Sequence, residues 1–199
     1  MKYFRMRDDG EVPDRWFLGS PTDADGRPVE PWVFTSAKKA TVKQPLAIDV
    51  SYSGRSLDFT HADLDMPVAN RRACSILKRV AGGTFESFPA RVNGHPEEFE
   101  IVNFLQARAC VDEAASEFLK WTETGGRPDK IGHYRSITNL RIDPSKVDSL
   151  PAFRITGWHI ALIVSEIVKI AFEMEAVTGV AFLPVSDHKP RLHLFGKRN

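Results

Sequence analysis

The densest group of side chains able to do chemistry is His61-Ala62-Asp63-Leu64-Asp65, where alternate spacing would project an imidazole and two carboxylates from one side of an extended segment. Zinc and manganese both accept that donor set, so a small metal-dependent hydrolase using His61, Asp63 and Asp65 is one reading. The competing reading is local: the segment runs into a helical pattern, where aspartate serves capping and loops. The other histidines, at 95, 133, 159, 188 and 193, form no H-E-x-x-H pair. There is no G-x-S-x-G elbow, and Gly82-Gly83 and Gly125-Gly126 lack the frame of a phosphate-binding loop. Cys74 and Cys110 have neither metal nor redox spacing and read as reduced, buried small hydrophobes, with a cysteine–histidine pair through space left open. Glu113, Glu117 and Glu123 could pair for acid–base work, but acids at this density usually face water. A non-catalytic chain without a cofactor is the expectation.

Recognition of another protein needs fewer fixed parts. Tryptophans stand at 16, 32, 121 and 158, and large aromatics serve equally as core or as interface anchors. Trp121 borders the Gly125-Gly126-Arg127-Pro128 stretch, so Trp121, Arg127 and His133 are the candidate partner-binding residues, while Trp16 and Trp32 read as core. Lys plus Arg number 27 against 26 Asp plus Glu, a formal charge of +1, without the basic excess that nucleic-acid binding needs. The basic stretches Lys38–Lys43 and Lys189–Arg198 read as a solvated loop and tail. The N-terminus becomes charged where a signal peptide would carry about 7–15 apolar residues, and no stretch reaches the roughly 18 of a membrane span. A cytoplasmic protein that binds neither membrane nor nucleic acid is expected.

The elements that must position these groups are mostly strands. Residues 1 to about 60 are strand-like and rich in turns, with a loop at 20–28. Leu46, Ile48, Val50 and Tyr52 alternate with polar neighbours at a strand's period of two. A helix is expected from Pro67, with Ala69, Ala73, Ile76, Leu77 and Val80 on its buried face, ending at Gly82-Gly83. Asn93-Gly94 predicts a hairpin between 85–92 and 98–105, the second strand buried on both faces and therefore central. Cys110 to Trp121 reads as a turn or short helix. Strands follow at 137–142, 152–156 and 159–164. Ser165 stands as an N-cap with Glu166 in the first turn of a helix whose buried stripe is Ile167, Ala171 and Met174, widened by Val168 and Phe172. A last strand, 180–185, is marked by Pro184 as an edge. Together these predict an α+β fold: a mostly antiparallel or mixed sheet carrying two principal helices, as one domain over 1–199 with subregions of about 1–60 and 61–199.

Several segments, in order, resemble one family. They are Tyr3-Phe-Arg-Met-Arg7, Arg15-Trp-Phe-Leu-Gly19, Asp63-Leu-Asp-Met-Pro-Val68, Asn103-Phe-Leu105 and Cys110-Val-Asp112 with Ser116. Phe153-Arg-Ile155, Val164-Ser-Glu166 and Thr178-Gly-Val-Ala-Phe-Leu-Pro-Val185 complete the set. The pattern is similar to the myxobacterial-type immunity-protein domain, formerly a domain of unknown function. The resemblance implies a protein that neutralises a cognate secreted toxin, delivered by contact-dependent or type VI systems, through direct contact. It also implies structural roles for Asp112, Ser116, Arg154, Ser165 and Glu166, with Asp112 or Glu166 expected to pair with Arg154 and hold the last helix on the sheet. An interaction module unrelated to toxins is the remaining alternative.

Overall fold

The structure is a computed structural model in which residues 1–186 are described. In chain order the first half holds β1 (Tyr3–Asp8), β2 (Phe17–Thr22), β3 (Leu46–Tyr52), β4 (Phe59–Ala62), β5 (Met66–Asn70), α1 (Arg71–Ala81), β6 (Phe85–Val92) and β7 (Glu98–Phe104). The second half adds β8 (Ala107–Arg108), β9 (Glu117–Lys120), β10 (Tyr134–Asn139), β11 (Ala152–Ile155), β12 (Trp158–Ser165), α2 (Glu166–Met174) and β13 (Val180–Pro184). The α+β class is as expected. The tail residues His188, Lys189 to Arg198 and His193 lie outside the described residues.

Two large sheets organise these elements. One has the order β2-β3-β6-β7-β5-β4, the other β13-β1-β12-β11-β8, and β9 and β10 form a separate ribbon. Both large sheets are mixed, because β3 runs parallel to β6 and β11 parallel to β8. The Asn93-Gly94 hairpin forms as read, with β6 and β7 in register from Phe85↔Phe104 to Arg91↔Glu98. On β7, Phe99 and Ile101 enter one core and Val102 and Phe104 another, which is how a central strand buries both faces. Pro184 lies on an edge strand, as its missing N–H suggests. The expected boundary near residue 60 falls inside β4, and β1 threads between the C-terminal strands β12 and β13.

Four local expectations are corrected. Residues 66–70 form a strand, with Pro67 opposite His61, and the helix starts only at Arg71, where the Asn70 carboxamide accepts from Ala73 N–H at 3.0 Å. Pro67 is tolerated there because β7 pairs only with Val68 to Asn70. Glu117–Lys120 is a strand, not a turn or short helix, held by pairing to β10. Trp32, expected in the core, is 55% exposed, whereas Trp16 is fully buried. On α2 the buried residues are Val168 and Phe172, while Ile167, Ile170 and Met174 face solvent. Six of the nine positions of that helix are apolar, so periodicity admits more than one face, and the packing of Phe172 against Phe59 and Phe182 selects one.

The central core draws Met6, Leu162 and Val164 from one sheet, Val102 and Phe104 from the other, Ile76 and Leu77 from α1, and Val168 and Phe172 from α2. A carboxylate staples its margin. Asp58 accepts from Thr178 N–H and hydroxyl, both at 2.8 Å, from the Asn70 carboxamide at 2.8 Å and from Arg72 at 2.7 Å. Burial alone would raise this carboxyl, but those hydrogen bonds outweigh it and hold the pKa below the ordinary aspartate value. Next to Thr178, Gly179 has φ of 90°, and a Cβ there would stand 2.1 Å from the Phe59 carbonyl oxygen.

Candidate partner-binding groove

The His61, Asp63 and Asp65 side chains do not converge. β4 ends at Ala62, and Asp63–Asp65 winds into a tight turn with Leu64 and Asp65 at positive φ, so the extended spacing that would have aligned the three is lost. His61 turns to Asp8, its Nδ1 3.3 Å and its backbone N–H 2.8 Å from Oδ1. Asp63 accepts from the Ser20 hydroxyl at 2.8 Å. Asp65 instead acts electrostatically on Arg5 and Arg154. Among the described residues no group of three or more His, Cys, Asp or Glu side chains is placed to hold a metal ion. Both cysteines are free and buried, and burial pushes Cys74 up to about 11 and Cys110 up to about 12, away from the thiolate a nucleophile needs.

The five residues read as structural divide between turns and core. Asp112 Oδ1 accepts from the N–H groups of Ala114 and Ala115, and the Ser116 hydroxyl accepts from Arg141 N–H and donates to Arg141 O. These bonds tie the 112–116 turn to the chain after β10. Ser165 occupies the N-cap position of α2, but its hydroxyl makes no capping bond and is buried without a partner among the described residues. Its neighbour Glu166 is in the first turn, its N–H donating to Lys2 O at 2.9 Å. Among the described residues Arg154 has no carboxylate partner of the kind expected: the fully buried guanidinium bonds through Nη1 to the His159 carbonyl, with Nε and Nη2 unpartnered there.

Trp121 and His133 do come together. Register in the β9–β10 ribbon places them opposite each other beyond its end, with Trp121 N–H donating to His133 O at 2.9 Å and Gly132 N–H to Trp121 O at 3.0 Å. The ribbon is fastened by Tyr134, whose N–H donates to Gly157 O and whose hydroxyl donates to Glu113 at 2.6 Å. Lys120 adds an ion pair to the same carboxylate at 2.6 Å. Arg127 does not join Trp121 and His133; it forks onto Asp129 at 3.0 and 2.8 Å on the exposed loop.

Between this ribbon and the start of β12 runs a groove of about 310 Å³, walled by Trp121, Tyr134 and Trp158 and flanked by Lys130, His133, Arg135 and His159. Thr35 closes one side; the loop that follows it is drawn inwards where Asn103 donates to Lys38 O at 2.7 Å. Arg135 lies over the Trp121 ring at 5.1 Å, and Arg5 over Trp158 at 4.8 Å. No carboxylate among the described residues lines the groove. Burial, together with the positive charges of Arg154, His133 and Lys38, depresses the pKa of His159. Such a site offers flat apolar walls and cationic donors, the chemistry of protein–protein anchors.

Sequence reading missed Arg135, Lys130, Trp158 and His159 as companions of Trp121. The alternation of basic and aromatic side chains in His133-Tyr134-Arg135 was the available signal; the approach of Trp158 is set by tertiary structure alone. Other apolar surface exists, notably Ile167, Ile170 and Met174 on α2, but without flanking donors of one sign. No helix of the described residues is long and apolar enough to cross a membrane.

No curated protein matches the chain. The family model described as the immunity protein family Imm11 matches residues 51–187, a span running from the end of β3 through both helices to β13 and including the ribbon and Trp158.

Proposed function

Because the chain belongs to the Imm11 family of immunity proteins, we propose that it protects the cell that makes it by binding a cognate secreted toxin in a stoichiometric complex, without turnover. The carrying observation is the extent of the family match, which takes in both helices, eight of the eleven strands of the two large sheets and every residue lining the aromatic and cationic groove except Thr35. The dispersal of His61, Asp63 and Asp65 removes the sequence's best argument for a hydrolase. The complex would cover or distort the toxin's active site in the cytoplasm, with a few aromatic and arginine anchors supplying most of the affinity. Co-expression with the product of the adjacent gene, taken as the candidate toxin, tests this. Growth rescue with co-purification of the two chains is expected, and continued killing in the presence of folded protein would refute it.

A further inference from the structure

Resting on the immunity reading, we propose that the groove between the β9–β10 ribbon and β12 is the toxin-docking site, and that its occupant is an acidic segment of the toxin inserting an aspartate or glutamate side chain between Trp121 and Trp158.

Charge complementarity within a defined shape selects this occupant. Lys130 and Arg135 border the groove as cations, His133 and His159 add imidazole groups, and no described carboxylate lines it, so positive charge is left without compensation from its own walls. The nearest acids are committed elsewhere. Asp129 is held by Arg127, Glu113 by Lys120 and Tyr134, and the charge of Asp65 acts on Arg5 and Arg154. Arg135 lies over the Trp121 ring at 5.1 Å, and a guanidinium in such a contact keeps N–H groups available to fork onto a carboxylate. Arg154, unable to move from the core and bonded to the backbone of His159, keeps a fixed positive charge behind the wall. At about 310 Å³ the groove is at the lower end of the ~300–1,000 Å³ of small-molecule sites and suits a side chain on a turn better than a cofactor.

The site is also rigid. Gly125 packs against Trp121, where a Cβ would stand 3.1 Å from the indole, and Tyr134 is bonded at both its N–H and its hydroxyl. Anchors held this way lose little conformational freedom on binding.

The test compares Arg135→Glu and Lys130→Glu with Arg71→Glu, an equal charge reversal on the exposed start of α1. Each purified protein is titrated with the same adjacent-gene product, and each is assayed for growth rescue. The groove variants should weaken binding on the order of 10-fold or more, more than Arg135→Lys does, while Arg71→Glu stays within about twofold. Wild-type affinity should also fall as salt is raised. If wild type binds and rescues and the two groove variants do so equally, the docking site is elsewhere and the immunity reading stands. If wild type itself neither binds nor rescues, the immunity reading fails and this proposal with it.

Discussion

The Arg154 guanidinium donates to the backbone carbonyl of His159 and, among the described residues, to no carboxylate. A fully buried cation with two unpartnered nitrogens is a cost to the fold, and burial lowers its pKa to about 10.

Replacing Arg154 by methionine should therefore leave the melting temperature unchanged or higher. The substitution removes one hydrogen bond, worth about 1 kcal/mol, but relieves a larger desolvation cost. Arg154→Ala, which leaves a cavity, should lower it. Calorimetry distinguishes the two, and a large loss for Arg154→Met would mean that the guanidinium has a partner that compensates its burial.

On α2, Phe172→Ala should cost about 3–5 kcal/mol and Ile170→Asp less than about 0.5 kcal/mol, because only the first faces the core. Urea unfolding measures both. Equal losses would mean that Ile170 is packed against the core as well.

Asp58→Asn should destabilise at neutral pH, and the deficit should vanish in acid. The folded-state pKa of Asp58 lies below its unfolded value, so its stabilisation is complete above the ordinary aspartate value of 3.8 and is lost as pH falls through the folded value. Melting both proteins at pH 7 and near pH 3 checks the sign; a deficit that grew in acid would contradict it.

Gly179→Ala combines positive φ with a Cβ driven onto the Phe59 carbonyl, and should cost on the order of 3 kcal/mol or more. Circular dichroism melts test this directly, with a near-native transition as the contrary result.

His159 should titrate below the usual 6.5, and Lys38→Met should move it upwards by removing one of the charges that depress it. Imidazole NMR across pH 4–8 reads both values, and an unmoved His159 would remove Lys38 from the groove's field.

Local chemistry made much of this fold legible. Asn93-Gly94 specified its hairpin, the two-sided pattern of Phe99 to Phe104 specified a central strand, and Gly82-Gly83 ended α1. Where neighbours in space decide, residues misled: Pro67 looked like a helix start until β4 paired with it, and the six apolar positions of the nine in α2 concealed its inward face. The groove lay between these cases. Trp121 and His133 could be named from a glycine-rich loop, but nothing in the order of residues brings Trp158 and His159 against them; that requires the Gly157 turn and its bond to Tyr134.

The central claim is inhibition by occupancy. Toxin activity, measured while this protein is added in steps to a fixed amount of toxin, should fall linearly and reach zero at one equivalent. Complete inactivation by a small fraction of an equivalent, continuing with time, would show turnover and contradict a stoichiometric binder.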